Sequence, residues 1–131
     1  MNPHYPHVAD RVEHRCEYCL APEAIFNLPF EIEHIVPTAR GGTNEAANLA
    51  LACRSCNVFK SDRVTDPETD QTVALFDPRR DTWEAHFQLT RDSGAIQGLT
   101  AIGGATIERL RMNAPLQLTA RQVWLRLGLF S

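Results

Sequence analysis

Apolar and polar residues in the middle of the chain follow first the period of a strand and then that of a helix. Residues 30–36 are rich in β-forming side chains and alternate imperfectly, which predicts a strand that Pro37 ends. Residues 38–47 hold two consecutive glycines and predict a loop. Residues 48–52 place two leucines on one face, as a second strand would, and residues 54 to about 62 predict a short helix. This order predicts a β-hairpin followed by a helix.

The second half of the chain gives shorter signals. Residues 64–72 are polar and contain a proline, which predicts a connector. Residues 73–76 are apolar and predict a short strand. Residues 83–89 alternate apolar with polar side chains, which predicts a strand that pairs with residues 96–100 across a turn at 92–94.

Two helices are predicted near the C-terminal end. Residues 106–113 carry apolar side chains at helical spacing, and Pro115 is expected to end this helix. Thr119 is expected to cap a last helix that bears an apolar stripe. We expect these elements to pack on the first half of the chain, because the core of the first half is too small to be stable alone.

Composition narrows the class of protein. The chain has 131 residues, 44% of them hydrophobic, which suits one compact domain or a small motif with a packed extension. It has no apolar run of membrane-spanning length and no basic region followed by a hydrophobic stretch at its start, so we expect a cytoplasmic protein without a membrane partner. The net charge of −3 does not indicate a nucleic-acid binder, so any such binding must come from local charge.

Four cysteines form two C-x-x-C pairs, Cys16/Cys19 and Cys53/Cys56. Two thiolates on a tight turn can reach one ion, and two such turns supply the closed tetrahedron that suits structural zinc. Disulfides or free buried thiols are the alternatives, and a reducing cytoplasm favours metal over disulfides. A closed shell of four sulfur atoms leaves no position for water, so the predicted zinc is a brace for the hairpin between the pairs.

Several motifs occur in a fixed order around this hairpin: Cys16-x-x-Cys19, Glu33-His34-Ile35-x-Pro37, Gly41-Gly42, Asn48-Leu49, Cys53-x-x-Cys56-Asn57 and Lys60. The pattern resembles that of the HNH endonucleases, whose fold is the ββα-metal finger. It covers roughly the first half of the chain, and so many elements in order make a chance match improbable. The resemblance implies hydrolysis of DNA phosphodiester bonds.

Hydrolysis of a phosphodiester requires a proton acceptor for water, and the neutral imidazole of His34 can serve near physiological pH. The resemblance implies that Glu33 and Asn57 hold a catalytic ion and that Asn48 orients His34 across the hairpin. An all-oxygen set of ligands favours Mg²⁺ or Mn²⁺. Asn57 stands where the family often has its final histidine, which makes this an H-N-N variant, and Glu33 stands where Asp is common.

Basic residues surround the proposed ion and predict contacts with the phosphate backbone of DNA. They are Arg40, Arg54, Lys60 and Arg63. Contacts that are mostly with phosphate imply weak base preference, and the family implies 5′-phosphate and 3′-hydroxyl ends. A homodimer or a protein partner is left open as the means of cutting both strands.

The expected fold class is α+β, a zinc-braced ββα-metal finger with a small mixed extension of strands and helices packed on it. We expect the finger to occupy residues 1–66 and the extension residues 67–131, in one compact unit. Two other functions remain open: a non-catalytic zinc module that binds nucleic acid or protein, and a nuclease that acts on RNA or on branched DNA.

Overall fold

The computed structural model describes residues 2–66 and 73–130, and it confirms the α+β class. The helices of this part of the chain are α1 (Tyr5–Arg11), α2 (Arg54–Lys60), α3 (Trp83–His86), α4 (Ala101–Leu110) and α5 (Pro115–Arg126). The strands are β1 (Glu31–His34), β2 (Leu49–Ala52), β3 (Thr65–Asp66), β4 (Val73–Ala74), β5 (Phe87–Leu89) and β6 (Ile96–Gly98). They pair in order as three antiparallel two-stranded sheets.

The predicted hairpin and helix are the centre of the fold. Strands β1 and β2 pair with His34 opposite Leu49 and with Glu31 opposite Ala52. All four residues of β2 are buried, so both faces of this strand lie against protein, and α2 follows it after Cys53. The loop between the strands contains two short 3₁₀ turns, Thr38–Arg40 and Ala46–Asn48. The order strand, loop, strand, helix is therefore as predicted.

The first cysteine turn is attached to the second strand through one backbone hydrogen bond and one hydrogen bond to a side chain. The amide of Glu17 donates to the carbonyl of Leu51 at 2.8 Å, and the amide of Leu51 donates to the Glu17 carboxylate at 2.8 Å. These two bonds satisfy buried polar groups that a two-stranded sheet would otherwise leave open. They also place the turn that carries Cys16 beside the end of the hairpin that carries Cys53.

The extension contacts the finger at several points. The indole Nε1 of Trp83 donates to the carbonyl of Tyr18 at 2.8 Å, and the Arg79 guanidinium pairs with the carboxylate of Glu17. Arg109 on α4 donates from Nε to the carbonyl of Phe59 at 3.1 Å. These contacts agree with an extension packed on the finger. The domain boundary at residue 66 stays a prediction.

Strand β3 was not predicted. It pairs with β4, so the segment predicted as a connector begins with a strand. Residues 67–72, the rest of that segment, lie outside the described residues. The predicted strand at 83–89 is divided: α3 makes one helical turn, and only Phe87–Leu89 pairs with β6, Leu89 opposite Ile96. The predicted pairing partner and turn are confirmed.

The boundaries of the last two helices differ from the prediction. Helix α4 begins after Thr100, whose hydroxyl accepts a hydrogen bond from the Gly103 amide at 3.1 Å, and it ends at Arg111 in a left-handed conformation. Pro115 does not end a helix but begins α5, because its fixed φ suits the first helical turn, where its missing N–H costs nothing. Thr119 therefore lies inside α5 and caps nothing. No helix in the described residues is both long and apolar enough to cross a membrane.

Helix α1, which the sequence pattern did not predict, is followed by a small polar network around His14. The imidazole bridges Glu23, at 2.6 Å from Nδ1, and Asp10, at 3.0 Å from Nε2. Hydrogen bonding to Glu23 and then to Asp10 raises the pKa of His14 above 6.5. Burial would raise the pKa of Glu23, but hydrogen bonds from the Tyr5 hydroxyl, the Phe30 amide and His14 lower it overall. The charged pair joins α1 to the segment that enters β1.

We expect the substitution His14→Asn to destabilise the protein in a pH-dependent way. Asn tolerates the left-handed conformation of this position (φ 57°) and carries no titrating proton. Because the pKa of His14 is raised in the folded state, its charge stabilises fully below pH 6.5 and the effect is lost as pH rises through the folded pKa. The side chain is 48% exposed. The difference should therefore stay below about 1 kcal/mol.

Urea unfolding of both proteins between about pH 5.5 and pH 9 measures this difference. The control is His7→Asn at an exposed position of α1, which leaves the hydrogen bonds of His14 intact and should not reproduce the effect of His14→Asn. A His14→Asn effect that grows with pH would contradict the prediction.

Candidate functional site

The four cysteines lie together in the interior. Their sulfur atoms are all within 4.8 Å of one another, and each residue is at most 6% exposed. Cys19 Sγ and Cys53 Sγ are 3.7 Å apart. A tetrahedral zinc site with Zn–S bonds of about 2.3 Å has sulfur–sulfur edges of about 3.8 Å, so the cluster fits zinc closely. No disulfide joins the four thiols in this structure, and their clustering favours a metal site over disulfides.

The protonation of these thiols couples metal binding to pH. Burial raises the pKa of the Cys16 thiol, and hydrogen bonding to the neighbouring thiols raises that of Cys56. Hydrogen bonds from the same neighbours lower the pKa of Cys53. Zinc binds thiolates, so loading the site releases protons and links metal affinity to the fold. Cys16 and Cys53 stand at opposite ends of the hairpin segment, which the cluster therefore closes into a loop.

His34 ends β1 and contacts the loop between the strands. Its Nε2 lies 2.7 Å from the side-chain oxygen Oδ1 of Asn44. In the neutral ring, a hydrogen bond to this amide oxygen requires the proton on Nε2 and leaves the lone pair on Nδ1. Asn44 was predicted only as part of a loop, and sequence alone offered no signal that distinguishes it from an ordinary turn residue. The structure adds it to the site.

Asn48 holds the loop in shape from the other side of the hairpin. Its side chain accepts from the Val36 amide at 2.8 Å and donates to the carbonyls of Val36 at 2.9 Å and Thr43 at 2.8 Å. It makes no hydrogen bond to the His34 side chain in the described structure. Asn48 thus fixes the backbone two residues after His34 and the residue before Asn44. Orientation of His34 by Asn48 stays a prediction, and these contacts favour an indirect route.

Glycine is required at one position of this loop. A Cβ on Gly42 would lie 1.7 Å from the Val36 carbonyl oxygen and 2.9 Å from Asn48 Nδ2. The loop therefore folds back onto the end of β1 only because this residue has no side chain. Gly41 before it has φ of 89°, which also favours glycine.

Glu33 is buried, with 3% of its surface exposed, and points away from solvent. Its carboxylate accepts hydrogen bonds from Lys60 Nζ at 2.7 Å and from the Tyr18 hydroxyl. Burial raises the pKa of the Glu33 carboxyl, while Lys60 and Tyr18 oppose that shift. Lys60 also donates to the carbonyl of Ile35 at 3.2 Å. The carboxylate predicted to hold the catalytic ion is therefore paired with an ammonium group in this structure.

Asn57 lies on α2 next to a different carboxylate of β1. Its Nδ2 donates to Glu31 Oε1, and Arg54 Nη1 lies 3.0 Å from Glu31 Oε2. Residues two apart on a strand share a face, so Glu31 and Glu33 both point toward α2. The donor group of the Asn57 amide is used by Glu31, and its Oδ1 makes no hydrogen bond within the described residues. The structure thus brings Asn57 to Glu31, and it shows no hydrogen bond between Asn57 and Glu33 or His34.

The predicted phosphate-binding residues fall in different environments. Arg40 is exposed, Arg54 has a side chain 77% exposed, and Arg63 is partly buried. Lys60 is 1% exposed and its ammonium group is used by Glu33, so it is not placed to contact a phosphate. We therefore correct that assignment: Lys60 belongs to the buried pair, because α2 turns this position toward β1.

Comparison with known families locates the similarity in the finger. Residues 16–63 match the family model described as HNH endonuclease, a segment that contains both cysteine pairs, His34 and Asn57. No curated protein and no solved structure matches the chain significantly. The match ends before the extension.

We expect removal of zinc to unfold the finger. Without the ion, four thiols would be left buried and the hairpin would lose its closure, so helical and strand signals from the finger should be lost together. Circular dichroism during titration with a strong chelator, with parallel measurement of released zinc, tests this. Cys53→Ser should weaken zinc binding and destabilise the fold similarly. A chelated protein with unchanged stability would contradict the structural role.

Proposed function

We propose that this protein is a metal-dependent endonuclease that hydrolyses phosphodiester bonds of DNA, because residues 16–63 match the HNH endonuclease family model. The observation that carries the proposal is the position of His34. It stands at the end of a zinc-braced strand with one ring nitrogen held by Asn44 and the other left open. That arrangement suits a group that takes a proton, because the second ring nitrogen makes no hydrogen bond within the described residues.

His34 is the proposed general base. With the proton held at Nε2 by the Asn44 oxygen, Nδ1 is the atom that accepts the proton of the attacking water. Asn48 holds the loop backbone on both sides of this contact, so the imidazole is oriented before substrate binds. Attack of water on phosphorus with loss of the 3′ oxygen gives 5′-phosphate and 3′-hydroxyl ends.

Asn57 Oδ1 is the proposed amide ligand of an ion such as Mg²⁺ or Mn²⁺, which when bound supplies charge stabilisation on the phosphoryl oxygens. The sequence pattern assigned the carboxylate ligand to Glu33. The contacts favour Glu31 instead, because Glu31 is the carboxylate that lies at Asn57 and its exposed partner Arg54 is easily displaced. Glu33 would first have to give up Lys60 inside the protein, which is costly.

Exposed arginines near this edge are the proposed contacts for the phosphate backbone. Arg54 precedes Asn57 by one helical turn, and Arg40 lies in the loop after His34. Contact with phosphate gives affinity without sequence recognition, so weak base preference is proposed. Screening by salt should weaken such binding strongly.

One observation favours the alternative of a non-catalytic zinc module. The Glu33 carboxylate next to His34 is neutralised by Lys60. Within the described residues, this carboxylate does not belong to any group of three or more side chains that could together hold an ion. In that case the finger would bind nucleic acid or protein without ion-dependent cleavage. Comparing duplex DNA, branched DNA, single-stranded DNA and RNA in the presence of Mg²⁺ separates this module from a nuclease with another substrate.

We expect His34→Ala to abolish most nicking of supercoiled plasmid in Mg²⁺ while zinc content and stability are kept. Loss of a general base lowers the rate by about 10²–10⁴-fold. Asn44→Ala should give an intermediate loss, because the base remains but its tautomer is no longer fixed. His7→Ala, at an exposed position of α1, is the control and should cut like the parent. If His34→Ala nicks the plasmid as fast as the parent protein, His34 is not the general base.

Glu31→Gln and Glu33→Gln should affect different properties. We expect Glu31→Gln to weaken Mn²⁺ binding at least about tenfold with little change in stability, because its present partners are partly exposed. Glu33→Gln leaves Lys60 buried without a counter-charge and should cost about 3–5 kcal/mol of stability. Mn²⁺ titration followed by electron paramagnetic resonance, and urea unfolding, measure the two effects. Loss of Mn²⁺ binding in a folded Glu33→Gln alone would restore Glu33 as the ligand.

A further inference from the structure

Arg121 on α5 is a buried cation without a carboxylate partner in the described residues. It is 2% exposed. Its Nη1 donates to the carbonyl of Gly94 at 2.7 Å and lies 3.4 Å from the side-chain oxygen of Asn113, and its Nη2 donates to the carbonyl of Met112 at 2.7 Å. Its Nε is buried and makes no hydrogen bond. Neutral carbonyls satisfy part of the guanidinium but do not balance its charge.

A buried unbalanced charge is costly, typically several kcal/mol, so a nearby anion is expected. The cysteine cluster is the anion that the structure offers. Arg121 lines a cavity of about 370 Å³ whose walls also include Cys19, Cys53 and Cys56. The other walls are mostly apolar and include residues of α2 and α5. The cavity is partly open to solvent, so charges attract each other across it less strongly than in a closed interior.

The charge of the loaded site requires compensation. One Zn²⁺ and four thiolates carry a net charge of −2, and the chain buries this group in an apolar interior. We propose that Arg121 is the counter-ion of the zinc centre, so that the extension supplies the positive charge that the finger needs to hold its metal. The other buried cation among the described residues, Lys60, is already paired with Glu33 and does not serve this purpose.

The electrostatic environment of Arg121 supports this assignment. Burial lowers the pKa of the guanidinium, and attraction to Cys19, Cys56, Cys53 and Cys16 opposes that shift. All four members of the cluster contribute to this attraction. Arg121 lies outside the segment that matches the nuclease family, so the finger's own motifs do not include this charge.

A purely structural role is the competing interpretation, because the guanidinium fork also ties α5 to the turn at Gly94 and to the end of α4 at Met112. The two roles depend on different properties of the side chain. Charge compensation survives in Arg121→Lys, which keeps the charge but loses the fork. It is lost in Arg121→Gln, which keeps some hydrogen bonding but is neutral.

The test is zinc affinity of the full chain, measured by competition with a chromophoric chelator at constant pH. We expect Arg121→Gln to bind zinc at least about tenfold more weakly, and Arg121→Lys to stay within about threefold of the parent. Arg126→Gln removes an exposed charge from the last turn of the same helix and should not change zinc affinity. Urea unfolding of the zinc-loaded proteins measures separately how much the hydrogen bonds of the guanidinium fork contribute to the free energy of unfolding.

Zinc affinities of Arg121→Gln and the parent that agree within error would overturn the proposal, as would equal losses in Arg121→Gln and Arg121→Lys. If Arg121→Gln does not fold, Arg121→Lys decides alone: reduced stability with zinc affinity kept supports a counter-ion, and zinc affinity lost in proportion to stability overturns it. The readout is zinc binding, so the result is independent of whether the protein cuts DNA.

Discussion

Closure of the chain by four buried cysteines is the constraint on which the arrangement of the finger depends. The hairpin is short, four residues in each strand, and two strands of that length are not stable alone in water. Metal coordination by the cysteines at both ends would replace the missing core, and two hydrogen bonds between Glu17 and Leu51 hold the first cysteine turn against β2. Helix α5 of the extension lines a cavity that three of these cysteines also line.

This brace leaves the polar residues of β1 divided between two faces of one strand. Glu31 and Glu33 point toward α2, where they contact Asn57 and Lys60, and His34 points toward the loop and Asn44. The proposed base and the proposed ion ligands are thus positioned by different neighbours. A substrate phosphate would have to contact the end of β1 to meet both, which agrees with a shallow site open to a large polymer.

Buried charges in this protein are compensated in two different ways. Glu33 and Lys60 neutralise each other directly, and the Tyr18 hydroxyl donates a second hydrogen bond to the Glu33 carboxylate. Arg121 has only carbonyls and an amide oxygen as direct partners, and the proposed zinc centre supplies its counter-charge across a cavity. The first pair explains why a motif lysine is not at the surface. The second gives the extension a role that its contacts with the finger alone do not explain.

The sequence determined the parts of this protein that depend on local chemistry. The C-x-x-C spacing predicted the cysteine cluster, and alternation and turn residues predicted β1, β2 and the 92–94 turn. The motif order predicted the family that residues 16–63 match. Only the tertiary structure decided which side chains meet: that Asn57 faces Glu31, that Lys60 is buried, and that Asn44 contacts His34. The physical reason is that residues far apart in the chain are brought into contact by the twist of the hairpin and the packing of α2 and α5, which local spacing does not encode.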